Sequence, residues 1–180
     1  MWYVGIGSRK TPKEVCSQFT SIARRLAEQQ WWLRTGGAPG ADKAFEKGVQ
    51  ISSESHRLQV ITPWQGFNNT LDTHEYILNR MSLTVKTTAE QYVRYNHPQG
   101  RHLKPAALKL LARNYIIING VWLDEPPEFI ICWTKGGGGT GFALEIARRM
   151  APGALIINFH DSNYMEVLKK TEKRYSIKIL

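Results

Sequence analysis

Three times along this chain a short apolar run ends at a glycine-bearing loop and gives way to an amphipathic stretch. The runs are "WYVGIG" (Trp2–Gly7), "WWLRTGG" (Trp31–Gly37) and "EFIICW" (Glu128–Trp133), the last leading into "TKGGGGTG". After the first run, Pro12 opens a helix whose apolar face is Val15, Phe19, Ile22, Ala23 and Leu26, reaching about Gln30. After the second comes a short helix over Gly40–Val49, and after the third Phe142, Ile146 and Met150 recur at every fourth residue. Strands that alternate with helices cannot be joined by hairpins, so they form a parallel sheet with helices on both faces. "RLQVITP" (Arg57–Pro63) and "ALIINF" (Ala154–Phe159) add two strands, a helix is expected over Ser162–Lys170, and "YSIKIL" reads as a final strand. The fold class expected is therefore α/β, a Rossmann-like, doubly wound and mostly parallel sheet. Residues 65–120 depart from the pattern: "THEYILNRM", "AEQYVRY" and "PAALKLLARNYIIING" are helical in period, with a loop at "NHPQGRH". They read as a helical excursion within one domain spanning 1–180.

Four glycines before a helix are costly, at about 1 kcal/mol each in a helix interior relative to alanine. Between a buried strand and a helix they let backbone amides crowd onto a small anion, with the positive end of the helix dipole aimed at it. A tight turn is the plainer alternative for any one such loop. In a doubly wound sheet, however, "GIGSR", "TGGAPGAD" and "GGGGTG" lie at the same edge, where ligands of such sheets bind. Phosphate-binding candidates are Gly7, Ser8, Arg9, Thr35, Gly36, Gly37, Gly40, Gly137, Gly138, Gly139 and Thr140. Asp42 opens the second helix, either as a favourable charge on the helix dipole or as a ribose ligand or general base. The first loop is not a dinucleotide fingerprint, since Lys10 stands at its third glycine position.

A length of 180 residues with 42% hydrophobic and 22% charged residues suits a globular domain. No run approaches a membrane span, and no basic-then-apolar leader precedes the first strand. Cys16 and Cys132 sit in apolar company as free thiols, which leads us to expect a cytoplasmic protein. The net charge of +9 favours anionic partners, a nucleotide or nucleic acid. No cofactor is required by any motif, and self-association stays open.

"GIGSRKTP", "TGGAPGAD" and "GGGGTGFALEIA" together resemble the SLOG superfamily, which joins the DprA/Smf DNA-processing proteins to the Lonely Guy (LOG) phosphoribohydrolases. The chain is more similar to the DprA/Smf side, above all to the compact versions found in phage and mobile elements. "ARN" (Ala112–Asn114) resembles that family's Arg-Asn motif, which implies a phosphate or base contact for Arg113 and Asn114. The resemblance implies binding of a nucleotide, a nucleotide-derived ligand or single-stranded nucleic acid, in the last case as a recombination mediator. Its LOG branch implies instead hydrolysis of the N-glycosidic bond of nucleoside 5′-monophosphates. For that chemistry the catalytic candidates are Asp42 and Glu145. The LOG pattern has a proline before its glycines and acids within three residues after them. Here the proline position holds Lys135 or Gly136, and the first acid is Glu145, more than one helical turn in.

Trp64, at the end of a strand, is a candidate base-stacking platform, as is Trp133. His97 and His102 flank Arg101 without a carboxylate or thiol at ligand spacing, so no metal site is expected. No nucleophile elbow is present.

Overall fold

The computed structural model describes residues 1–69 and 75–180. Its sheet has six strands, all parallel, in the order β4-β3-β2-β1-β5-β6 among the described residues. The strands are β1 (Trp2–Gly7), β2 (Trp32–Thr35), β3 (Leu58–Thr62), β4 (Glu75–Ile77), β5 (Phe129–Trp133) and β6 (Leu155–Asn158). The helices are α1 (Lys13–Glu28), α2 (Ala41–Gln50), α3 (Leu83–Asn96), α4 (Pro105–Asn119), α5 (Gly138–Met150) and α6 (Tyr164–Tyr175).

Successive strand side chains point to opposite faces, and both faces are apolar here. Tyr3, Leu33, Val60, Phe129 and Ile131 pack against α1, α2 and α6 through Phe19, Leu26, Phe45 and Leu168. Val4, Ile6, Ile61, Ile130 and Cys132 pack against α3, α4 and α5 through Val93, Ala112, Ile116, Phe142 and Ile146. Every residue of β3 and of β5 is buried. Among the described residues no helix is long and apolar enough to cross a membrane.

The strand order sets the site. The chain leaves β1 into α1 on one face, while β5, its other neighbour, feeds α5 on the opposite face. The chain therefore leaves β1 and β5 toward opposite faces of the sheet, the arrangement at whose carboxyl edge open α/β sheets bind ligands.

Two expectations need correction. "YSIKIL" is not a strand. Tyr175 ends α6, and the tail is held by side chains: Gln29 Oε1 accepts from Lys178 N at 2.8 Å, and Glu172 Oε1 accepts from Ile179 N at 2.6 Å. The excursion is also not purely helical. The "THEYILNRM" run begins outside the described residues, and its described part is β4 followed by a 3-10 turn, Leu78–Arg80. β4 extends the sheet with Ile61 opposite Tyr76, and three residues are too few for a period to show.

Candidate functional site at the carboxyl edge

β1 ends in Gly7, whose amide donates to Asp42 Oδ1 at 3.1 Å. Ser8 N donates to Trp133 O at 3.1 Å, which ties the first loop to β5. The Ser8 carbonyl accepts from Thr11 Oγ1 at 2.6 Å and its hydroxyl from Lys10 N at 3.1 Å, so this serine mainly shapes the turn before α1. Arg9 is exposed at its tip.

After β2 the loop is closed. Thr35 is fully buried and donates its hydroxyl to Gly5 O at 2.7 Å, holding β2 to β1. Asp42, 3% exposed, is fully engaged: Oδ1 by Gly7, Oδ2 by Ala38 N at 3.3 Å and by Arg113 Nη1 at 3.6 Å. Arg113, on α4 and 5% exposed, lies against Gly36, where a Cβ would come within 2.6 Å of its Cζ. Its guanidinium stands 5.7 Å from the Phe67 ring, and Phe67 meets Trp64 edge-on at 5.3 Å. Burial pushes the Asp42 carboxyl up, against the pull of Arg113 and the two amides. Burial pushes Arg113 down, and Arg9 adds to that shift, which places a second cation nearby. Gly40, at φ +86°, passes so close to the first loop that a Cβ would stand 2.6 Å from Ser8 O. Asn68 Nδ2 donates to Gly37 O at 3.4 Å.

After β5 the loop is open. Gly136, Gly137 and Gly138 have φ of +92°, +71° and +57°, and a Cβ on any of them would meet nothing within 4 Å. Thr134 Oγ1 accepts from Gly136 N at 3.1 Å, and Gly141 N is the first amide of α5 to find a carbonyl, that of Gly137. The amides of Gly138, Gly139 and Thr140 have no acceptor among the described residues, and they stand at the positive end of a helix. Asn114, next to Arg113 on α4, fixes the loop by donating Nδ2 to Gly139 O at 3.0 Å. Thr140 is half-buried beside it.

The edge thus brings together Gly7, Arg9, Asp42, Arg113, Asn114 and the β5 glycines, and it separates the two candidate carboxylates. Asp42 is sealed, whereas Glu145 lies on the exposed side of α5 and makes no ion pair among the described residues. Arg149, a possible partner for it by spacing, donates instead to Asn96 Oδ1 at 2.7 Å. Trp133 is buried against the core, with the exposed His160 ring 5.6 Å away. His160 is a further candidate at this corner. Its signal in the sequence is its place, two residues beyond β6 at the same carboxyl edge of the sheet. Asn158 locks that corner, accepting from Thr134 N and donating to Thr134 O, both at 3.0 Å.

No protein-family model matches the chain, and no curated protein matches it. Among solved structures it is similar to DNA processing protein A from Helicobacter pylori, a structure described for its single-stranded DNA binding mode. The two share 15% identity and a TM-score of 0.56 over 96% of this chain and 73% of that one. The chain carries a DprA-like fold.

Proposed function

We propose that the chain binds single-stranded nucleic acid at the carboxyl edge of its sheet, seating a phosphate on the Gly136–Thr140 loop. The observation that carries this reading is the open loop: three consecutive glycines in left-handed backbone, free helix amides behind them, and nothing within 4 Å where side chains would be. The net charge of +9 and the exposed Arg9 in the loop after β1 support an anionic polymer. The single-stranded DNA binding of the structural neighbour supports it too, as does the SLOG and DprA/Smf resemblance of the three loops. A free nucleotide would use the same phosphate chemistry at the same seat.

The test is fluorescence anisotropy with a labelled single strand. Affinity should fall with salt at a log–log slope of roughly 0.7 per phosphate neutralised. Gly138→Asp places a carboxylate on the seat, and aspartate tolerates left-handed backbone better than most residues. Binding should drop at least tenfold, about 1.4 kcal/mol, with the thermal melt nearly unchanged. Wild-type affinity in that variant would remove the assignment.

The same edge argues for binding without turnover. A glycosidic hydrolase needs a carboxylate within hydrogen-bond reach of sugar or water. Asp42 is sealed and Glu145 stands outside the first turn of α5. Nucleoside 5′-monophosphates should release no free base in a chromatographic assay. Rapid release that vanishes in Glu145→Gln would make the protein a hydrolase.

A further inference from the structure

The excursion between β4 and β5 presents a second basic surface. A groove of about 480 Å³ runs between the outer side of α3 and the 3-10 turn Gly100–His102, lined by Thr87, Glu90, Gln91, Arg94, Tyr95 and Arg101. Arg94, Tyr95 and Arg101 are exposed, Tyr95 to 78%. Their side chains hold no hydrogen bond, ion pair or ring contact among the described residues. An exposed aromatic ring thus shares one groove with two unpaired guanidiniums.

The groove is a built feature. Gly100 packs under the end of α3, where a Cβ would stand 2.5 Å from the carbonyl oxygens of Val93 and Arg94. His97 O accepts from Gly100 N at 2.8 Å, so Arg101 projects from a fixed turn. The end of α3 is joined to α5: the His97 ring meets Phe142 edge-on at 5.0 Å, and Asn96 accepts from Arg149. Phe142 lies one turn beyond the open amides at the start of α5. The end of α3 that bears the groove is therefore tied to the helix that opens at the glycine loop. Over residues 83–104 the cations Lys86, Arg94, Arg101 and Lys104 face one acid, Glu90.

We propose that this groove is a second contact for single-stranded nucleic acid, with Arg94 and Arg101 each pairing with a phosphate and Tyr95 stacking on a base beside them. The proposal rests on the reading that a strand is seated at α5, and it extends the path of that strand over α3. The chemistry fits a polymer: guanidinium forks recognise phosphate, and an exposed aromatic ring stacks any base.

Anisotropy with thymidine strands of about 6 and about 30 nucleotides tests it, since single sites of this kind cover roughly 4–16 nucleotides. The double variant Arg94→Ala/Arg101→Ala should weaken the long strand at least tenfold and flatten its salt slope by about 1.4, two phosphates' worth. The short strand, held at α5, should bind as in wild type. Tyr95→Ala should weaken the long strand on the order of tenfold, and Tyr95→Phe should restore it. Glu90→Gln should tighten it. These side chains are exposed, and an unchanged thermal melt would show that the fold is intact. Gly138→Asp separates the two readings. A long strand that survives Gly138→Asp but not the double variant upholds the groove and removes the glycine seat. Long-strand affinity and slope unchanged in the double variant overturn the groove while leaving the seat standing. A wild-type chain that binds neither strand overturns both.

Discussion

The loops after β2 and β5 begin alike and end in opposite states. Each turns on glycines in left-handed backbone: Gly37 and Gly40 in one, Gly136, Gly137 and Gly138 in the other. After β2 the room left by a missing side chain belongs to the protein, because the Arg113 guanidinium lies against Gly36 and is held by Asp42. After β5 the room is empty and faces outward. α4 divides the two roles between neighbouring residues: Arg113 closes one loop, and Asn114 holds the other open by its backbone. A glycine cluster at a strand end thus marks space, and a side chain from elsewhere in the chain decides whose space it is.

The widest contrast should come from Gly36→Ala and Gly137→Ala measured side by side. On Gly36 a Cβ would overlap Arg113 and stand 2.8 Å from Asp42 Oδ2. The buried guanidinium must shift, and a shift that takes it off Asp42 costs up to the roughly 3–5 kcal/mol of a broken buried ion pair, a large share of a domain's stability. On Gly137 the methyl group has open space, so only the backbone resists it: φ +71° with extended ψ is a conformation that almost only glycine adopts, at about 1–3 kcal/mol for another residue. Urea unfolding reads both. Equal losses would mean that the two loops do not differ as described.

The pair itself sharpens the contrast. Arg113→Met should cost about 3 kcal/mol or more, because it leaves Asp42 buried with two amides and no countercharge. Adding Asp42→Asn should recover part of that loss, with a coupling of about 0.5–3 kcal/mol between the two sites. Additive losses would show that Arg113 and Asp42 act separately. Neither change alters the amides at the start of α5, so folded double variant should retain strand binding within a few-fold.

Much of this was legible in the sequence, and the division is physical. Alternating strands and helices are local patterns, so the parallel sheet and the convergence of three loops on one edge follow from residues close in sequence. Gly36 and Arg113 lie on β2's loop and on α4, and nothing local joins them; the Arg-Asn pair stands out in the sequence, but its partners do not. Thr35 reads as a ligand contact because a hydroxyl beside glycines suits phosphate, yet its oxygen is used on Gly5. Asp42 reads as a helix-start acid or a base, and its burial makes it the tether of two loops. Glu145 stands out by its spacing from the glycines, while which side of α5 meets solvent is set by Phe142, Ile146 and the core beneath. Strand β4 is too short, and the C-terminal tail too dependent on Gln29 and Glu172, for either to show as a period.

The smallest stability effect is the most specific test of α4's divided role. Asn114→Ala removes one partly exposed hydrogen bond, to Gly139 O, and should cost only about 0.5–1 kcal/mol by urea unfolding. The closed loop after β2 should not notice, because Arg113 keeps its place between Gly36 and Asp42. The open loop loses its one side-chain anchor from α4, and glycines released from a fixed conformation must be ordered again each time a phosphate is seated. Strand affinity should therefore fall by more than the stability change implies, roughly fivefold to tenfold, while the salt slope stays at its wild-type value because no charge is removed. Asn114→Asp gives the complementary sign: its carboxylate cannot donate to Gly139 O and repels the strand, so both affinity and slope should fall. If Asn114→Ala binds as tightly as wild type, the β5 loop is rigid by its own backbone, and α4 governs only the loop it closes.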